Sequence, residues 1–143
     1  MDQSAKLSRK FTQVDEGAFF KVLLSEDHLC LMISYSDNTR IGLEEAQEVI
    51  DCARLHLDGV RFGLTEANGP KTYITSEARK LYSKNDSVEK TIAHAVITDG
   101  IVQKLIADIF AQFDSPIVPV KTFKSLDGAM NWLENEFHHQ SDA

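Results

Sequence analysis

The stretch Thr91–Phe123 constrains the fold more than any other part of the chain. It begins with an apolar run to Thr98, turns at Asp99, continues as a strongly apolar helical segment to Phe113, and ends in a second strand-like run. A strand, a crossover helix and a strand in this order favour a parallel pair of strands over a hairpin. The sequence therefore predicts an α/β fold around this unit.

The segments before this unit predict an N-terminal antiparallel meander, because short polar turns separate three strand-like runs. These runs are Lys10–Asp15, Ala18–Leu24 and His28–Ser34. An amphipathic helix is then predicted from Gly42, with Leu43, Ala46, Val49, Ile50, Ala53 and Leu57 on its apolar stripe. A strand over Val60–Thr65, a short helix over Glu77–Ser83 and a final helix after Ser125 complete the predicted order.

The strands after the meander alternate apolar and polar residues, whereas an all-parallel sheet covered on both faces shows continuous apolar runs. We therefore expect a mixed sheet of about six strands with helices mainly on one face. A chain of 143 residues fits one domain, residues 1–143. Its polar ends, residues 1–8 and 139–143, are predicted to be flexible.

Charge and cysteine content limit the classes of partner. The formal net charge of -7 argues against a nucleic-acid surface and against an anionic membrane, because both need a basic field. Cys30 and Cys52 lack the spacing of a metal site, so we interpret them as reduced thiols of a cytoplasmic protein. Since apolar runs stay short of the ~20 residues of a membrane helix, a membrane protein is not expected.

Several packing motifs carry a resemblance to a known family. They are Ala93-His94-Ala95-Val96 in the central strand, the apolar helix after Asp99, Pro116-x-x-Pro119-Val120-x-x-Phe123, and Ala129-x-x-Trp132-Leu133. With the order of the elements, these motifs resemble the STAS or SpoIIAA-like superfamily of anti-sigma-factor antagonists, and within it a branch of small uncharacterised bacterial proteins. The resemblance implies a SpoIIAA-like fold and a small interaction domain.

The resemblance also implies a place for a phosphorylation site. In the better-known members, a Ser or Thr at the start of the helix after a central strand is phosphorylated by a kinase partner. The usual Asp-Ser-(Ser/Thr)-Gly signature is absent here, and the corresponding place holds Thr72, Thr75 and Ser76. These three are candidates by position only, and a simple helix N-cap is the competing interpretation for Thr75 and Ser76.

Three hypotheses about function remain open. We favour a non-enzymatic cytoplasmic interaction or regulatory module that binds a protein partner or a second copy of itself, with no catalytic, cofactor or metal residue assigned. The alternative is a carrier of a small apolar or lipid-like ligand, held between the sheet and the helix over residues 101–113. The third is an enzyme that uses His28, Arg61 and His94, which form a polar patch if all three face the helix-free side of the sheet.

Overall fold

A computed structural model describes residues 6–67, 72–83, 91–97 and 119–142. Its main sheet begins with three antiparallel strands, and three parallel strands extend it. The antiparallel strands are β1 (Phe11–Glu16), β2 (Phe20–Ser25) and β3 (Cys30–Tyr35), and the parallel ones are β5 (Phe62–Ala67), β7 (Ala93–Ile97) and β8 (Val120–Phe123). The sheet order is β1-β2-β3-β5-β7-β8, which confirms the predicted six-stranded mixed sheet.

Two very short strands form a separate parallel ribbon. They are β4 (Arg40–Ile41) and β6 (Tyr73–Ile74), and each directly precedes a helix. The described helices are α1 (Leu43–Arg54), α2 (Ser76–Ser83) and α3 (Leu126–Asp142). The helix predicted over residues 101–113 lies outside the described residues.

The sheet carries an apolar cluster on each face. On the α3 face, Phe62, Leu64, Ala93 and Ala95 of the central strands pack with Ala129, Met130 and Leu133 of α3. On the α1 face, Val22, Leu31 and Ile33 pack with Ala46 and Val49 of α1 and with Ala78 of α2. Of the described helices, α1 and α2 lie on one face of the sheet and α3 covers the other, so both faces are covered. The reason is visible in β3, where both the odd and the even positions are apolar and buried.

The first helix follows ordinary capping rules. The backbone N–H of Gly42 donates to Glu45 Oε1 at 2.8 Å, and Glu44 and Glu45 place carboxylates in the first turn, where they suit the helix dipole. The helix ends at Arg54, and Gly59 then adopts a positive φ of 81° that suits glycine. The predicted helix thus begins at the expected place and ends a few residues early.

Residues near the N-terminus contact α3. Leu7 is buried in the α3-face cluster, and its N–H donates to Glu134 Oε2 at 2.8 Å. Arg9 strengthens this contact, because its guanidinium lies 3.1 Å from Glu134 and 3.4 Å from Asp127. The helix α3 also continues to Asp142. The expected flexibility of residues 1–8 and 139–143 stays a prediction.

Candidate functional site

The ribbon of β4 and β6 lies where β3 and β5 lead into their helices. The hydroxyl of Thr72 donates to the Ser36 carbonyl at 2.8 Å, which fastens the two connecting segments to each other. The N–H groups of Tyr73 and Thr75 donate to the carbonyls of Thr39 and Ile41 at 2.8 and 2.9 Å. The ribbon therefore holds the starts of α1 and α2 side by side at the carboxyl edge of the parallel strands, the edge where open α/β sheets bind ligands.

The three candidate hydroxyl residues, Thr72, Thr75 and Ser76, differ in burial and in hydrogen bonding. Thr72 is buried and already donates its hydrogen bond. Thr75 is also buried and caps α2, because its hydroxyl oxygen accepts from the N–H of Ala78 at 3.2 Å. Ser76 is exposed in the first turn of α2 and donates to Glu77 Oε1 at 2.8 Å. Of the three, the hydroxyl of Ser76 is the one at the surface.

Two large apolar side chains are exposed in the ribbon and at the start of α1. Leu43 exposes 53% of its surface and Tyr73 exposes 45%. Tyr73 is in register with the exposed Arg40 across the ribbon, and Leu43 is the first residue of α1. We call these four residues, Arg40, Leu43, Tyr73 and Ser76, the ribbon surface.

Of the four residues of the ribbon surface, the sequence indicated Ser76 alone as a candidate. The helical spacing had assigned Leu43 to the buried stripe of α1, and the structure shows that this assignment is wrong. A usable signal existed, because Leu43 lies in the first turn directly after the cap, at the margin of the stripe defined by Ala46, Val49 and Ile50. No local signal indicated the two-residue strands, which depend on pairing between residues 33 positions apart, such as Arg40 and Tyr73.

The proposed patch of His28, Arg61 and His94 is not formed. His28 lies in an exposed turn with a φ of 63°, not in the strand that was expected to contain it. Arg61 precedes β5, and its guanidinium lies 5.9 Å from the ring centre of Phe137, which packs on the α3-face cluster. His94 lies on the opposite side of the sheet. The structure therefore does not assemble these residues into a common site.

His94 has a structural explanation of its own. It is opposite Gly63 in the parallel register, and a Cβ added to Gly63 would lie 2.5 Å from His94 Nδ1, so glycine leaves room for the ring. Nε2 of His94 lies 2.8 Å from the Thr65 hydroxyl oxygen. Burial lowers the pKa of His94 to about 4, so the imidazole is neutral near pH 7.

A second titratable cluster connects β1 with α1. Nε2 of His56 lies 3.0 Å from Asp15 Oδ2, and this hydrogen bond lowers the pKa of Asp15. Burial, with a hydrogen bond to the same carboxylate, raises the pKa of Cys52 to about 11. Its thiol therefore stays protonated near neutral pH and is a poor nucleophile.

Among the residues that the structure describes, no group of three His, Cys, Asp or Glu side chains is arranged to hold a metal ion.

The other cysteine is equally unreactive. Cys30 is buried on the α3 face, and burial raises its pKa to about 12. Cys52 packs against the α1-face cluster on the other side of the sheet. Both thiols are free, and their positions on opposite faces keep them apart.

Comparisons with known proteins place the fold. Residues 24–136 match the family model described as Domain of unknown function (DUF7793). The structure is similar to the crystal structure of an uncharacterised protein of the DUF3478 family with a SpoIIAA-like fold from Shewanella loihica PV-4. That similarity has a TM-score of 0.56 at 16% sequence identity and covers 84% of this chain and 98% of that one. No curated protein matches this chain.

The structural similarity confirms the SpoIIAA-like fold that the packing motifs implied. At 16% identity this similarity supports the fold alone.

None of the described helices is both long and apolar enough to cross a membrane.

Proposed function

The chain belongs to the family described as Domain of unknown function (DUF7793), and we propose that it is a non-enzymatic interaction or regulatory module of the cytoplasm. The partner binds at the ribbon surface. The observation that carries this proposal is the exposure of Leu43 and Tyr73 together at the carboxyl edge of the sheet.

The composition of the ribbon surface suits a protein partner. Tyr and Arg are enriched among the residues that dominate binding energy, and here Tyr73 and Arg40 are direct neighbours across the ribbon. Full burial of a side chain the size of Leu43 contributes about 1.5–3 kcal/mol. The segments that present these side chains are held by backbone hydrogen bonds, so less ordering is needed on binding.

Phosphorylation of Ser76 is the form of regulation that fits this surface. A phosphate there adds about -1.5 to -2 charge at pH 7 and lies at the N-terminal end of α2, where the helix dipole favours negative charge. It also replaces the hydrogen bond to Glu77 with repulsion between two anions. We propose Ser76 over Thr72 and Thr75, because the latter two are buried and their hydroxyls already form hydrogen bonds.

The partner is another protein or a second copy of this chain. A net charge of -7 supports neither nucleic acid nor an anionic membrane as the partner. The alternative of an apolar-ligand carrier involves the helix over residues 101–113, which lies outside the described residues. It stays a prediction, since no described contact favours it.

The ribbon surface can be tested with a double variant. Leu43→Ser with Tyr73→Ser removes both exposed apolar side chains, and we expect the affinity for any partner isolated with the native chain to fall at least tenfold. Leu55→Ser is the matched control, because Leu55 is exposed at the other end of α1. Light scattering of the native chain shows whether the partner is a second copy.

The proposal is wrong if the double variant binds the same partner with unchanged affinity. For the phosphorylation site, Ser76→Glu is expected to change that affinity while Ser76→Ala does not. Equal affinities for the native chain and both Ser76 variants would remove Ser76 from the proposal.

A further inference from the structure

A second exposed surface lies where the end of β1 meets the C-terminal half of α1. Leu55 exposes 77% of its surface there, and Val14 exposes 38%. Glu16, Glu48 and Asp51 are exposed in the same region. We call these five residues the α1–β1 surface.

A β-bulge brings the two elements together. Gln13 is opposite Leu23, whereas Asp15 is opposite Val22, so one extra residue, Val14, interrupts the pairing with β2. Cross-strand partners share a face, and Val22 belongs to the α1 face, so the bulge turns Asp15 toward α1. Its carboxylate then reaches His56 at 3.0 Å, directly beside Leu55.

The carboxylates of α1 lie on the same side as Leu55. Glu48, Asp51 and Leu55 follow a spacing of three and four residues, which places them along one stripe of the helix. Glu48 also extends over the turn that follows β1, because its Oε2 atom lies 2.8 Å from the position that a Cβ on Gly17 would occupy. The exposed apolar side chains thus have acidic neighbours from both elements.

The local charge is strongly negative. Residues 14–21 and 48–58 contain carboxylates at Asp15, Glu16, Glu48, Asp51 and Asp58, against basic side chains at Lys21 and Arg54. Lys21 is opposite Glu16 in the strand pair and offsets part of that charge. The remaining excess repels acidic partners and attracts basic ones.

We propose that the α1–β1 surface docks a basic segment of another protein. A large apolar side chain of that segment packs on Leu55 and Val14, and flanking Lys or Arg side chains pair with Glu48 and Asp51. An apolar centre surrounded by a charged rim is the usual arrangement of side chains in a protein interface. A second copy of this chain is the less suitable occupant, since two such surfaces carry charge of the same sign. The site is distinct from the ribbon surface at the other end of α1.

Fluorescence anisotropy with a labelled synthetic peptide tests the proposal. The probe has one leucine between two groups of three lysines, and the protein is the full chain. We expect saturable binding that weakens about tenfold in Leu55→Ser and in Glu48→Lys. Glu26→Lys is the control that keeps native affinity, because Glu26 is exposed in the turn after β2 and belongs to neither proposed surface. Thermal unfolding checks that each variant is folded, which we expect because both positions are exposed.

A second peptide, with serine in place of the central leucine, separates apolar contact from charge. We expect it to bind about tenfold more weakly than the leucine peptide. Equal affinity for both peptides shows attraction by charge alone and overturns the proposal. It is also overturned if no binding is measurable, if Leu55→Ser binds as the native chain does, or if Glu26→Lys weakens binding as much as Glu48→Lys. A dimer of the native chain that Leu55→Ser dissociates assigns the surface to self-association instead.

Discussion

The two faces of the central strands differ in what they carry. On the α3 face, β5 and β7 present Phe62, Leu64, Ala93 and Ala95, all fully buried. On the α1 face, the same strands present Gly63, the partly buried Thr65 and His94, and the buried Val96. The backbone geometry is shared, so the difference lies in the side chains alone.

Apolar clusters on both faces stabilise the fold, because apolar burial is the dominant favourable contribution to folding. At β5 and β7 the two faces differ in their polar groups. The α1 face includes polar groups that need specific neighbours, such as the ring of His94 over Gly63. The helices α1 and α2 on this side also present the ribbon surface and the α1–β1 surface.

Phe62→Ala should cause the largest loss of stability. Phe62 is fully buried, and its ring lies 5.6 Å from that of Phe137 in an edge-to-face arrangement. Removal of a buried phenylalanine ring costs about 3–5 kcal/mol. Urea unfolding measures this cost, and Thr65→Ala on the α1 face is the comparison, with an expected loss of about 1 kcal/mol. Equal losses for both variants would remove the proposed difference between the faces.

Gly63→Ala tests the close approach of His94 to β5. The added Cβ would lie 2.5 Å from Nδ1 and 3.0 Å from Cε1, so the ring has to move. We expect a loss of about 2 kcal/mol in the free energy of unfolding. In a His94→Ala background the same change should be nearly neutral, and the double-mutant cycle measures the coupling. A loss of the same size in both backgrounds would mean that His94 is not the obstacle.

The pH dependence of stability should report on His94. Its pKa in the folded chain is about 4, below the ordinary value of 6.5, so unfolding takes up a proton between these values. The contribution of neutral His94 is therefore complete above pH 6.5 and is lost as the pH falls toward 4. We expect the native chain to lose about 2 kcal/mol more than His94→Gln over this range, because the glutamine does not titrate. Parallel stability curves for the two proteins would contradict the assignment.

Thr75→Ala should have the smallest effect of the four. The variant loses the cap of α2, and loss of an N-cap costs about 1 kcal/mol. Thr75→Ser keeps a hydroxyl and is the matched control. Thermal unfolding measures both, and we expect Thr75→Ser to stay within a few tenths of a kcal/mol of the native chain. Equal losses in both variants would assign the effect to packing of the Thr75 methyl group.

Local patterns predicted much of the fold. The inner stripe of the last helix, Leu126, Ala129, Met130, Leu133 and Phe137, was predicted from its spacing, and these residues pack on the α3-face cluster. The meander was predicted from short turns between apolar runs, and the parallel strands from the crossover pattern. Such signals are readable because helix and strand periodicity depend on neighbouring residues.

The candidate sites could be predicted less well from local sequence patterns. The place of Ser76 followed from the resemblance, but its exposure and the burial of Thr72 and Thr75 depend on how the ribbon folds. Leu43 was assigned to the core because spacing alone does not show where a helix leaves the sheet. The contact of Asp15 with His56 requires a bulge, which shifts the register by one residue and moves a side chain to the other face.

The sequence by itself determined the order of the elements, the main apolar stripes and the acidic character of the chain, since each is a property of composition or of local spacing. Only the tertiary structure decided that α3 covers the face opposite α1, that His94 lies over Gly63, and that Leu43 and Tyr73 are exposed at one edge. These features arise from strand register and from contacts between residues far apart in the chain. Local periodicity carries no information about such contacts, because the same pattern is compatible with several registers.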